Sequence, residues 1–224
     1  MNGEEIVMVM HPEIFGALGD GVHDDGSAIQ EAINACCACG GGEVLLSSGK
    51  TYLSRFLILR SGVGLRVEEG SVLKAWAHHL FCPDRPPHEA GEEAEVLDTG
   101  KPSGIFLYAL NCHGLHIHGE GSICGGDAGK PDTALLYLDQ CEHVKVQGLT
   151  LKAEGDLLCF GGCRDVRAIE VCMETLQGCG IVLDHTREAR LERCRMQGGS
   201  NFFRILDSRA QADQLPSNDI QVIE

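Results

Sequence analysis

The sequence predicts an all-β chain: a single-stranded, right-handed parallel β-helix capped at its N-terminal end by one α-helix. Three observations carry this. A seven-residue text recurs in constant phase: Asn111-Cys112-His113-Gly114-Leu115-His116-Ile117, Gln140-Cys141-Glu142-His143-Val144-Lys145-Val146, Gly162-Cys163-Arg164-Asp165-Val166-Arg167-Ala168 and His185-Thr186-Arg187-Glu188-Ala189-Arg190-Leu191. A last copy is Ser217-Asn218-Asp219-Ile220-Gln221-Val222. Cys112, Cys141 and Cys163 step by 29 and then 22 residues, and Thr186 follows by 23, which is the length of one solenoid coil. Finally, 29 glycines and only 5% aromatic residues suit many turns around a thin core. A β-sandwich would instead want hairpin turns and no same-phase recurrence.

The elements follow in order. Residues 26–39 read as a helix. Asp25 or Ser27 is placed to cap it, Ile29, Ala32, Ile33 and Cys36 form one apolar stripe, and Gly40-Gly41-Gly42 end it. It is placed to cover the first coil against edge-to-edge pairing. Short apolar segments then alternate with turns: Val44-Leu45-Leu46, Phe56-Leu57-Ile58-Leu59, Gly64-Leu65-Arg66-Val67 and Ser71-Val72-Leu73. A stretch with Pro83, Pro86, Pro87 and a run of glutamates marks 82–103 as a surface-loop insertion inside one domain spanning 1–224. Beyond it, stacked coils place Cys112, Cys141, Cys163 and Thr186 in a ladder with steps of about 4.8 Å.

Composition excludes several classes of function. Thirty-three acids against 18 lysines and arginines give a net charge of -15, which disfavours nucleic acid and anionic membrane surfaces as partners. No apolar run is long enough for a membrane-spanning helix. Acids in Met1-Asn2-Gly3-Glu4-Glu5 are wrong for a secretory signal. The expected location is therefore cytoplasmic as the sequence reads, or secreted if a leader has been removed. Twelve cysteines are too few for a disulfide scaffold and read as reduced, mostly buried thiols.

The opening run from Ile14 to Gln30, with Gly41-Gly42-Glu43-Val44 and Gly49-Lys50-Thr51-Tyr52-Leu53, resembles the start of the pectin-degrading β-helix enzymes. Val67-Glu68-Glu69-Gly70-Ser71-Val72-Leu73 and Ile117-His118-Gly119-Glu120-Gly121-Ser122-Ile123-Cys124-Gly125-Gly126 narrow the resemblance to polygalacturonases, family 28 of the glycoside hydrolases, in the pectate-lyase-like superfamily. It spans nearly the whole chain. The resemblance implies an Asn-Thr-Asp-Gly segment, an Asp-Asp pair one coil later, and then Gly-His-Gly and Arg-Ile-Lys, serving inverting hydrolysis without a cofactor. Laid without gaps, the first motif falls on Gln177-Gly178-Cys179-Gly180 and the pair on Ser200-Asn201. Cys179, Ser200 and Asn201 thus hold the catalytic positions, and none supplies a carboxyl group. No histidine follows His185 and no lysine follows Lys152, so the chain looks truncated where the family continues. Asp156, Gln177, Asn201 and Arg204 are the expected substrate contacts, for a uronate-containing polysaccharide.

Glu154 and Asp156 lie one coil before Cys179 with Glu174 nearby, and Asp184 and Asp207 recur 23 residues apart, so relocated acids are one alternative. Cys36, Cys37 and Cys39 point in different directions on a helix and do not complete a metal site. His116 and His118 share a strand face with no acid in matching phase, and no metal is expected there. Cys179 lacks a histidine partner for nucleophilic work. Arg187, Arg190, Arg193 and Arg195 form a basic cluster that either grips an anionic uronate or balances Glu188 and Glu192. The expectation is a polygalacturonase-like protein, inactive or a fragment, that retains at most carbohydrate binding. The alternatives are an active hydrolase or lyase with relocated acids, and a non-catalytic interaction module. An open C-terminal strand edge predicts a homo-oligomer.

Overall fold

The computed structural model describes residues 8–76, 102–125, 133–206 and 219–223. The chain is a right-handed parallel β-helix in which each coil passes through three sheets. Among the described residues the first sheet has eight strands, from Val9–Met10 and Gly42–Leu46 through Glu142–Gln147, Arg164–Ile169 and Arg187–Glu192 to Gln221–Ile223. The second has seven, including Val72–Ala75, Ser122–Cys124, Thr150–Ala153, Cys172–Thr175 and Arg195–Gly198. The third has six, including Gly104–Leu110, Thr133–Asp139, Asp156–Gly161, Cys179–Asp184 and Asn201–Leu206. Every pairing is parallel. Equivalent positions therefore lie directly above one another.

Alternation builds the core. Val144 and Val146 on the first sheet, Leu151 on the second, and Leu158 and Phe160 on the third all point inward and are fully buried. The third sheet is buried on its outer side too, where Tyr108 and Tyr137 stack with ring centroids 6.2 Å apart. At the corner between the third and first sheets, Asn111, Gln140, Gly162 and His185 adopt left-handed backbone, with φ of 52°, 52°, 63° and 49°. The residue after each turns inward as the expected ladder. The Cys141 thiol donates to Asp139 O, the Cys163 thiol to Leu138 O at 3.1 Å, and the Thr186 hydroxyl to Phe160 O at 3.1 Å. A small polar side chain is needed there because it must satisfy a carbonyl where the chain bends. The Cys112 contact lowers the Cys141 thiol, but the Cys163 contact and burial outweigh it and raise the thiol to about 12.

The helix spans Gly26–Ala38 and buries Ile29, Ala32, Ile33 and Cys36 over the first coil. The expected side-chain cap is absent. Asp25 occupies the N-cap position, but its carboxylate turns back to accept from the amides of Leu18 (2.7 Å) and Gly19, while Asp24 Oδ1 accepts from Gly26 N–H at 3.0 Å. Most of the expected loop at 82–103 lies outside the described residues. At the opposite end Phe203, Ile205, Val222 and Ile223 are exposed on the last strands.

Candidate functional site

The corner that leads from the second sheet to the third is formed by the links 153–156, 175–179 and 198–201. Residues 77–101 and 126–132 connect the same two sheets in earlier coils and lie outside the described residues. Register stacks Ala134 on Asp156 and Cys179 on Asn201, and Asp156 Oδ1 accepts the Cys179 N–H at 2.7 Å, so these four residues form one row. Arg204, directly opposite Val182, reaches back across the intervening strand and places Nη2 2.9 Å from Asp156 Oδ2. Cys179 is fully buried, with its sulfur 3.6 Å from Ser200 Oγ, which donates to Gly178 O. Cys159 lies under this ion pair, and burial followed by the Asp156 charge pushes its thiol well up.

The structure therefore brings Asp156, Cys179, Ser200, Asn201 and Arg204 together. Gln177 sits apart on the exposed turn, its N–H donating to Glu154 O at 3.1 Å. The corner is also tightly closed. A Cβ at Gly178 would stand 2.1 Å from the carbonyl carbon of Gly155, and one at Gly199 would stand 2.3 Å from Met196 Cε. No side chain fits at 178 without moving backbone.

Because equivalent slots repeat in every coil, the Asn-Thr-Asp-Gly motif can be laid one coil earlier, on Glu154-Gly155-Asp156-Leu157. The Asp-Asp pair then falls on Gly178-Cys179. In that alignment Asp156 keeps a carboxylate and the pair is still missing. Sequence alone fixes the phase within a coil but not the coil number, and so leaves Asp156 outside the catalytic set.

Beside the corner, a cleft of about 430 Å³ runs over the outer face of the second sheet, lined by Lys152, Glu154, Glu174, Leu176 and Gln197 among others. One row carries Lys74, Cys124, Lys152, Glu174 and Gln197 in register. Lys152 Nζ is 2.9 Å from Glu174 Oε2, and this contact raises the lysine pKa. Leu176 is 72% exposed, an apolar wall opposite these charges. Of the relocated pair, Asp184 Oδ1 lies 2.8 Å from His185 Nδ1 in a buried pocket, and Asp207 lies outside the described residues.

Contrary to the sequence expectation, an acid stands in phase with the histidines. His116 and His118 stack with ring centroids 4.0 Å apart, and His118 Nε2 sits 2.7 Å from Glu43 Oε1. Glu43 is in phase through Gly64, two coils away, which no local spacing reveals. Among the described residues no group of three or more such side chains is placed to hold a metal.

No family model matches the chain. A capsule KN3-specific depolymerase of Klebsiella phage KN3-1 is 46% identical over 193 residues, covering 76% of this chain and 21% of that protein. An endo-polygalacturonase of Pectobacterium carotovorum is 33% identical over 127 residues, 55% of this chain and 30% of that protein. The chain thus spans well under half of either relative. Among solved structures, an exopolygalacturonase of Thermotoga maritima superposes with TM-score 0.74 at 18% identity over 95% of this chain and 58% of that one. A polygalacturonase of Erwinia carotovora does so with TM-score 0.70 at 18% identity, covering 92% and 60%. A Parabacteroides merdae chain provisionally named a glycosyl hydrolase gives 0.72 at 20% identity, with 96% of each chain covered. The chain shares the parallel β-helix fold of these enzymes.

Proposed function

We propose that this chain, a β-helix of the polygalacturonase type, binds a uronate-containing polysaccharide without hydrolysing it. One observation carries the reading: among the described residues the corner row holds a single carboxylate, Asp156, and both its oxygens are engaged, one by the Cys179 amide and one by Arg204. Inverting hydrolysis needs a protonated carboxyl group on one side of the bond and a carboxylate on the other, about 6.5–9.5 Å apart, with water between them. Neither alignment of the family motifs supplies a second acid, and closure at Gly178 leaves no room for one. The neighbouring cleft keeps what binding requires: a Lys152–Glu174 pair, Gln197 and the exposed Leu176 wall. Fragment status belongs to the same reading, supported by the small share of each relative that the chain spans.

The test is incubation of the full chain with polygalacturonate, following reducing ends and bound polymer in parallel. Bound polymer without new reducing ends is expected. A second reading has a specific observation behind it: Glu154 and Glu174 line the same cleft and could act as relocated acids. It predicts cleavage that is abolished in Glu174→Gln and Glu154→Gln.

A further inference from the structure

We propose that the outer face of the eight-stranded sheet is a second binding site, for a carboxylated linear polysaccharide lying along the coil axis. The site is built from five cations on three consecutive coils. Lys145, Arg167 and Arg190 stand directly opposite one another in one row, and Arg164 and Arg187 are opposite each other three residues earlier along their strands, with Asp165 and Glu188 between. Like charges opposite each other on neighbouring strands repel and weaken a sheet. A chain with 33 acids and only 18 lysines and arginines nevertheless stacks five of the latter here. His116 continues the first row upstream, where burial and the charges of His118 and Lys145 depress its pKa to about 4. The charged stretch therefore begins at Lys145.

The nearby acids mostly stand beside the rows. Asp165 and Glu188 occupy left-handed backbone positions and hold Arg167 and Arg164. Glu192, one row over, holds Arg190, and Arg193 bridges Glu192 and Glu170. Glu142 stands opposite Arg164. The paired guanidinium groups are 48% to 60% exposed, and such surface pairs are weak enough to exchange for a ligand carboxylate. Lys145 and Arg187 have no ion-pair partner among the described residues.

The row fixes the shape of the occupant. Cations recur at strand spacing, about 4.8 Å, in a straight line. Arginine meets a carboxylate through two parallel hydrogen bonds. An extended polymer with a carboxylate on successive sugars presents matching charge. A nucleic acid strand is disfavoured because these rows offer no Phe, Tyr or Trp ring for base stacking, and the chain's net charge is -15. The inference rests on the polysaccharide-binding part of the preceding proposal but uses a different sheet from the corner cleft.

The experiment is titration of polygalacturonate into the full chain at about 50 and about 200 mM salt. It compares wild type with the double variant Lys145→Ser/Arg187→Ser, its charge-keeping control Lys145→Arg/Arg187→Lys, and the cleft variant Lys152→Ser. The double Ser variant is expected to bind about tenfold more weakly with a flatter salt dependence, the control to restore binding, and Lys152→Ser to keep this salt-dependent component. Wild-type affinity in the double Ser variant, with loss only in Lys152→Ser, would overturn the second site and leave the corner reading standing. Tighter binding of oligodeoxythymidylate than of polygalacturonate would overturn the ligand class. Failure of wild type to bind polygalacturonate would overturn both proposals.

Discussion

Asp156 and Arg204 form an ion pair, Oδ2 to Nη2 at 2.9 Å, that spans the whole strand Cys179–Asp184 and ties a coil to the second coil after it. The other Asp156 oxygen accepts the amide of Cys179. Asp156→Asn keeps that acceptor and is expected to cost under about 1 kcal/mol, since an exposed ion pair contributes little. Asp156→Ala leaves the buried amide unpaired and is expected to cost about 1–3 kcal/mol. Urea unfolding of the two variants separates the amide contribution from the charge contribution.

Glu13 gives the fold a defined acid sensitivity. Burial pushes its pKa up, but Lys50 Nζ at 2.6 Å and the Tyr52 hydroxyl outweigh this and hold it at about 2, against 4.5 for an ordinary glutamate. Its folded pKa is depressed, so its contribution is present above about 4.5 and disappears as pH falls through 2. Glu13→Gln is expected to cost about 2–3 kcal/mol at pH 7, a difference that shrinks steadily between pH 4.5 and 2. A constant difference across that range would contradict the assignment.

Left-handed backbone at the ladder corner predicts which residues it tolerates. Gln140→Gly should be neutral or slightly stabilising at φ 52°, whereas Gln140→Val should cost about 1–2 kcal/mol. Thermal unfolding of the pair checks the sign.

Thiol labelling reads burial directly. Cys37, Cys39 and Cys172 are exposed, while Cys112, Cys141 and Cys163 are buried, with Cys112 and Cys141 raised above the ordinary thiol range. Brief alkylation of the native chain followed by mass spectrometry should modify the first three and spare the ladder.

The two ends of the solenoid are unlike. The helix Gly26–Ala38 covers one, while Phe203, Ile205, Val222 and Ile223 stay exposed at the other. Self-association through these exposed strands is expected to be two-fold, end against like end, because the helix covers the first coil at the other end. Light scattering should show a dimer that Phe203→Glu dissociates.

Much of the architecture was legible because it is periodic. The Cys112, Cys141, Cys163 and Thr186 recurrence gave coil length and phase, and the apolar stripe of Ile29, Ala32, Ile33 and Cys36 marked the helix. The interactions between coils were not legible. Asp156 and Arg204 are 48 residues apart, and Glu43 and His118 are 75 apart. Meeting depends on counting coils, and equivalent slots make that count ambiguous by one. The closing of the corner at Gly178 was equally hidden, because it depends on how near Gly155 comes in the coil beneath.

The central claim is that the row Ala134, Asp156, Cys179 and Asn201 carries one acid and no partner for it, and prolonged incubation of the unaltered chain with polygalacturonate, scored for new reducing ends, tests it most directly. A count that stays at the level of the substrate alone while the polymer binds is the predicted result. Reducing ends that rise in proportion to protein concentration, and vanish in Glu174→Gln, would contradict it.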